Sequence, residues 1–501
     1  MSLLSDLSLG FSVALSLTNL TYCLIGVVVG TAIGVLPGVG PLVTIAVLLP
    51  LTFGLPPDSA MIMLAGIYYG AAYGGSTTAI LVNLPGEQGA AVTVIDGYQM
   101  ARQGRAGPAL AIAAIGSFVA GCFGTFLIAV LAVPLTKVAL EFGAQEFTSL
   151  ILLALVATAV LVHGSMIKGI AVALLGVMFG LVGIDLTSGI ERFTFGIPGL
   201  YEGVPFIVVA MGLFAFAEII RNLEHAETSK IETIKVNGLM PTRADFKASW
   251  KPILRGTAIG SFFGILPGAG QTIASFGAYA LEKKISATPE RFGKGAIEGV
   301  AAPEAANNAS AQCAFIPTLT LGIPGSGTMA LMLGALMIQG VTPGPRILTS
   351  NPELFWGLIA SMWIGNLLLV VLNLPLVGLW VSMLKIPYRW LFPIVLVFSC
   401  IGIYTVNQSA IDIWVMVSFG VLGYLFVKLD CEPAPFILGI LLGPLLETNM
   451  RRSLLLSHGD FSTFITNPIS AAFLVLALGL IVLMVFPAIR RKKDEAVLEE
   501  E

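Results

Sequence analysis

The sequence predicts an all-α polytopic membrane protein made of two inverted-topology repeats, and three observations lead there. Of 501 residues, 56% are hydrophobic and only 11% charged, with a mean hydropathy of +0.92; a soluble chain carries roughly 25% charged residues. Lysine and arginine collect in one interior segment, 221–255, and in the C-terminal stretch from Arg490, which assigns both to the cytoplasmic side. Nearly the same glycine–proline phrase stands twice inside apolar runs, GVLPGVG at 34–40 and GILPGAG at 264–270. The length accommodates roughly ten to twelve membrane elements.

The N-terminus MSLLSDLSLG lacks the charged start and cleavage site of a removable signal peptide. The five cysteines are scattered and the three histidines lie far apart, so no metal site is expected. No basic block points to nucleic acid. The chain divides into a first repeat at 1–221, a cytoplasmic connector at 222–252, a second repeat at 253–489 and a cytoplasmic tail at 490–501. At an offset of 230, Gly26, Gly30, Gly34, Leu36, Pro37, Gly38 and Gly40 fall on Gly256, Gly260, Gly264, Leu266, Pro267, Gly268 and Gly270. The shared string GTAIG at 30–34 and 256–260 supports a rival register, which puts the two Leu-Pro-Gly tips four residues out of step. Farther on, NLPGEQG at 83–89 faces GIPGSGT at 322–328 at an offset of 239, with an insertion near the charged stretch 282–294.

Each phrase reads as the tip of a re-entrant hairpin. Pro252 to Leu266 is about 15 residues, roughly 22 Å of helix, which falls short of a hydrocarbon core of ~30 Å. The Leu-Pro-Gly-Ala-Gly break follows, and a second arm reaches Glu282, Lys283 and Lys284. Polar residues at both feet want the same side. The run 22–54, with its tip at Leu36 to Gly40, repeats the pattern. After it come a broken span at 59–84, a polar connector at 87–105 that suits an amphipathic surface helix, a long span at 107–139, and spans at 146–162, 167–185 and 203–221. Five crossings separate the hairpins, so the first opens outside and the second inside. The same count sets Arg192 outside, and Arg451 and Arg452 with it. In the second half a break is expected near 322–327, and the span near 433–447 is short enough for another re-entrant element.

Broken backbone at membrane depth leaves polar groups that lipid cannot satisfy, so it survives only against protein or a wet cavity. Amides at helix starts favour anions and free carbonyls favour cations. Paired breaks in related halves are the sequence mark of a midplane binding site. Candidate substrate-binding residues are Gly38, Val39 and Gly40 at the first tip; Ser76, Thr77, Asn83 and Gly86 at the first break; Gly268, Ala269, Gly270 and Gln271 at the second tip; and Asn307, Asn308, Gly325 and Ser326 around the second break. Candidate ion-binding residues are Pro37, Thr44, Thr78, Thr272, Thr318 and Thr328. Hydroxyls and amides offer hydrogen bonds without a buried charge and suit a carboxylate or a partly dehydrated cation.

Plainer readings stand beside these. Gly26, Gly30, Gly34 and their counterparts are spaced for helix packing, and serine and threonine often bond to their own helix. Glu304 suits a helix start, and Asp58, Glu87 and Asp96 suit solvated interfaces.

The stretches GIYYGAAYGGSTTAILVNLPGEQGAAVTVIDGYQMARQG, GILPGAGQTIASFGAYALEKK and GKGAIEGVAAPEAANNA resemble the large membrane subunit of the bacterial tripartite tricarboxylate transporter family. The resemblance covers most of the chain. It implies a multi-pass permease of the bacterial inner membrane that works with a small membrane subunit and a periplasmic solute-binding protein delivering a carboxylate. Uptake would be secondary active, driven by a cation gradient without ATP, and no GxxxxGK[ST] loop is present. Sodium is favoured over protons because buried acids are scarce, and no other cofactor is implied. An elevator-like shift of the unit carrying both tips, a homodimer, and contact with membrane lipid complete the expectation. An intramembrane enzyme and an ion channel are the alternatives; the first lacks HExxH and GxSxG signatures.

Overall fold

Two almost wholly buried helices form the centre of the molecule. Pro57–Val82 buries every residue from Ser59 to Leu81, and Glu298–Cys313 buries every residue from Gly299 to Cys313. Both are rich in glycine, alanine and serine, which lets neighbouring backbones come close. The computed structural model describes residues 3–36, 39–161, 165–185, 187–224, 234, 236, 238–266, 268, 270–383 and 388–485.

Helix Leu17–Gly34 lies against the first central helix. A Cβ built on Gly26, Gly30 or Gly34 would stand 2.3, 2.4 and 2.4 Å from backbone atoms of Met63, Ile67 and Ala71. Helix Arg243–Ile265 lies against the second in the same way. A Cβ on Gly256, Gly260 or Gly264 would stand 2.2, 2.2 and 2.5 Å from the carbonyl oxygens of Ala302, Ala306 and Ser310. The glycines of the two rows are 230 residues apart and their partners 239 apart, the two offsets of the preferred register. These glycines are packing residues, since any side chain there would push two helices apart.

Among the described residues, five helical stretches are long and apolar enough to cross a membrane: Leu17–Gly34, Gln88–Leu140, Ala144–Leu161, Pro352–Asn373 and Ala410–Lys428. Shorter apolar helices surround them, including Pro41–Leu48 after the first tip and Gly327–Ile338 after the second break. Exposed Phe126, Leu174, Leu367, Trp414 and Leu478 leave an apolar outer surface, as lipid contact requires. The chain is thus an all-α, polytopic membrane protein.

Three elements differ from expectation, each for a local reason. The first arm of the second hairpin begins at Arg243, not Pro252, and spans 23 residues, about 34 Å, so it does not fall short of a ~30 Å hydrocarbon core and the length argument for a re-entrant arm is lost. A capping box starts it: the Thr242 hydroxyl accepts from the Asp245 amide at 3.1 Å while the Asp245 carboxylate accepts from the Thr242 amide at 2.9 Å.

The polar connector is helical at Ala91–Met100, yet it is no surface helix. Val92, Thr93, Asp96 and Met100 are fully buried. Asp96 is therefore not solvated. Its Oδ1 accepts from the amides of Gly293, Gly295 and Ala296 at 2.9, 2.7 and 2.8 Å, and Tyr279 donates to Oδ2 at 2.9 Å. One carboxylate thus folds the charged insertion over the connector.

Near 433–447 no re-entrant element forms; helix Ala434–Leu456 runs on unbroken through Pro444. Arg451 near its end pairs with Asp185 at 2.9 Å and Glu447 at 2.7 Å, and Arg192 pairs with Glu447 at 2.8 Å. This network ties the helix to the short β-hairpin Gly183–Ile184 with Glu191–Arg192. The Thr187 amide, the Ser188 hydroxyl and the Arg451 guanidinium hold the Asp185 carboxyl well below the usual range, against the opposing effect of its partial burial. Arg192 and Arg451 share one end of the molecule, which gives Arg451 its partners.

Candidate functional site

Each hairpin tip docks on the broken segment of its own half. At the second, the Gly268 amide donates to the Gly325 carbonyl at 3.0 Å. Gly268 holds φ +78° and a Cβ there would stand 2.8 Å from the Ala157 carbonyl, so only glycine passes. At the first, a Cβ on Gly40 would stand 3.0 Å from the Gly86 carbonyl. Gly86 in turn packs on Gly75, where its Cβ would stand 2.3 Å from the Gly75 Cα. The first tip also neighbours the second break. Leu42, just past the first, lies 3.4 Å from the Cβ position of Gly327, just past the second break.

A cavity opens beside the second tip. Tyr68, Gly264, Leu266, Gly270, Gln271, Ser310, Gly325 and Ser326 line it. Two helices start at its wall, Gly270–Ile285 and Gly327–Ile338. Their first amides have no partner within the helix, and the positive ends of both dipoles lie there. Ser326 caps the second of them, accepting from the Met329 amide at 3.2 Å. The Gln271 Nε2 is buried and unpartnered. Two helix starts and a free amide donor are groups that attract an anion. Tyr68 enters from the first half, so both halves contribute to one wall.

A second cavity lies beside the two central helices. Tyr73, Ser76, Thr77, Ser117, Asn373 and Glu304 are among its lining residues. Glu304 is in the middle of Glu298–Cys313, not at a helix start, and is fully buried. Thr93 donates to its Oε1 at 2.5 Å, Ser76 to its Oε2 at 2.8 Å, and Ser117 reaches Oε2 at 3.5 Å.

The structure therefore divides the sequence candidates. Gly268, Gly270, Gln271, Gly325 and Ser326 gather at the tip cavity. Ser76 and Thr77 line the second cavity, and Asn308 joins it by donating to Ser117 at 2.7 Å. Asn307 turns elsewhere and donates to Glu87 at 2.6 Å. Val39 and Gly40 are half-buried at the first tip. Asn83 is exposed and ends its helix in the left-handed conformation, at φ 61°, a position that asparagine tolerates. Thr44, Thr78 and Thr318 donate to carbonyls of their own helices at 2.9, 2.8 and 2.7 Å. Thr328 is buried and Thr272 half-buried, each within two residues of a tip-cavity residue. Pro37, Gly38 and Ala269 lie outside the described residues. Sequence reasoning missed Tyr68, Thr93 and Ser117, which come from three separate helices; Glu304 carried a signal, as part of a polar cluster with Asn307 and Asn308.

The profile of the tripartite tricarboxylate transporter TctA family matches residues 20–438. A protein of Agrobacterium vitis described as an uncharacterized 52.8 kDa protein in the TAR-I ttuC' 3'region is 54% identical over 501 residues, which covers all of both chains. A second from the same organism, an uncharacterized protein in the TAR-II ttuC' 3'region, is 55% identical over 242 residues, 48% of this chain and 100% of its own. No solved structure matches.

Proposed function

Because the chain belongs to the tripartite tricarboxylate transporter TctA family, a family of carboxylate transporters and not of enzymes, we propose that it takes up a di- or tricarboxylate by secondary active transport. In this reading it lies in the bacterial inner membrane, a periplasmic solute-binding protein feeds it, and a cation entering with the anion supplies the drive. The tip cavity is the carboxylate site. The observation that carries this is the docking of Gly268 on Gly325 at 3.0 Å. It brings two helix starts and the unpartnered Gln271 Nε2 to one wall. Hydrogen bonds from these groups strengthen against a charged acceptor, and no buried cation is needed to balance the anion.

Two repeats of opposite orientation are the simplest origin of the matched glycine rows and matched breaks. The unit that carries both tips would then shift against the remaining helices to alternate access. The experiment is counterflow in proteoliposomes with the binding protein and the small membrane subunit, across a panel of mono-, di- and tricarboxylates. Saturable exchange of a di- or tricarboxylate is expected. Passive conductance without saturation, or no carboxylate flux for any member of the panel, contradicts the reading.

A further inference from the structure

We propose that Glu304 carries the proton that enters with the cargo. This rests on the transport reading above and names its coupling group. The two rows of glycine contacts pair Met63 with Ala302 and Ile67 with Ala306. In that register Glu304 takes the place that Ala65 holds in the first half, and both positions are fully buried. Packing is satisfied by alanine at this point, so the carboxylate answers to something else. An ionisable group inside a membrane protein, with no packing reason to be there, marks an ion path.

The surroundings fit a group that must be stable both charged and neutral. Its partners among the described residues are hydroxyls: Thr93 at 2.5 Å on Oε1, with Ser76 at 2.8 Å and Ser117 at 3.5 Å on Oε2. A hydroxyl donates to a carboxylate and accepts from a carboxylic acid equally well. Ser76 Oγ also lies 3.3 Å from the Ala72 carbonyl. When a proton bonds to Oε2, the new O–H donates to Ser76 Oγ, and the Ser76 hydrogen turns to Ala72. Release reverses both moves, and no heavy atom has to shift.

The adjoining cavity gives the proton an approach. Asn373, 8% exposed, lines it, and its Oδ1 is unpartnered. The packed elements also carry Tyr73, Glu87, Asp96, Cys122, Tyr279 and Glu298, together with cations on helices Arg243–Ile265 and Gly270–Ile285, of which Arg255, next to the Gly256 contact, is bound by Glu282 at 2.5 and 2.7 Å. Tyr73 donates to the Ala114 carbonyl at 3.4 Å, while Glu87 is held by Asn307, and Asp96 by Tyr279 and three amides. Glu304 alone among these acids is held only by hydroxyls. Scarcity of buried acids favours sodium, and Glu304 is a buried acid.

The test uses the full chain reconstituted with its partner subunits, with a pH dye inside the vesicles. In the wild type, carboxylate entry acidifies the lumen, and a pH gradient drives accumulation without sodium. Glu304→Gln, a mimic of the protonated form, is expected to cut pH-driven accumulation at least tenfold and to abolish acidification, while counterflow stays measurable. Glu304→Asp is expected to keep acidification, so a Gln variant that fails to fold leaves the test intact through the Asp variant's altered pH profile. Undiminished acidification by Glu304→Gln, an Asp variant with an unaltered profile, or wild-type accumulation driven by sodium with no proton movement overturns the proposal and leaves the transport reading standing. Absence of any carboxylate flux in the wild type overturns the transport reading itself.

Discussion

At the scale of single residues, the tip cavity depends on donors rather than on charge. Gln271 Nε2 is buried and unpartnered, and leaving a donor so costs about 1–3 kcal/mol. A bound carboxylate recovers that cost. A hydrogen bond to a charged group contributes about 1.5–3 kcal/mol, so Gln271→Leu is expected to raise the KM for uptake roughly tenfold or more. The measurement is a saturation curve in proteoliposomes, and an unchanged KM removes Gln271 from the site. The sequence singles out Gln271 and Ser326 because each stands beside a glycine–proline break. It does not disclose the partners of Glu304. Ser76, Thr93 and Ser117 reach it across 228, 211 and 187 residues of sequence, and no local pattern signals such a meeting. Asn83, proposed for its place next to a break, also ends its helix in the left-handed conformation.

At the scale of elements, the glycine rows carry the architecture. Gly260 stands where a Cβ would be 2.2 Å from the Ala306 carbonyl, and backbone cannot rotate away as a side chain could. Gly260→Ala is expected to destabilise by about 1–3 kcal/mol or more through overpacking. Gly277, on the exposed side of the other hairpin arm, has its nearest neighbour at 4.0 Å. Gly277→Ala is expected to be neutral or stabilising, because helix interiors favour alanine by about 0.5–1 kcal/mol. Thermal midpoints in detergent compare the two, and equal midpoints contradict the packing role. Spacing alone disclosed these rows, since small residues four apart form a stripe on any helix. The start of the second hairpin at Arg243 was within reach too, because Thr242 and Asp245 form a capping box three residues apart. The burial of the connector helix was beyond reach, since Asp96 is satisfied by amides about 200 residues away.

At the scale of the whole molecule, the two halves meet over one wall. Leu42 of the first hairpin packs at Gly327, and Tyr68 of the first central helix lines the cavity of the second tip. A carboxylate held there touches elements of both halves, so a shift of either half is felt at the cargo, as alternating access requires. The apolar spans made the all-α membrane class readable from composition. The division of polar residues into a tip cavity and a Glu304 chamber was not readable, because it depends on how the central helices turn toward one another.

The central claim is that the second tip and its break hold the carboxylate with main-chain dipoles and the Gln271 amide. A cryo-electron microscopy map, recorded with the carboxylate that gives the fastest counterflow, tests it most directly. The account predicts cargo density against Gly270, Gln271 and Ser326. Cargo density lodged in the Glu304 chamber, or anywhere else remote from both tips, would contradict it.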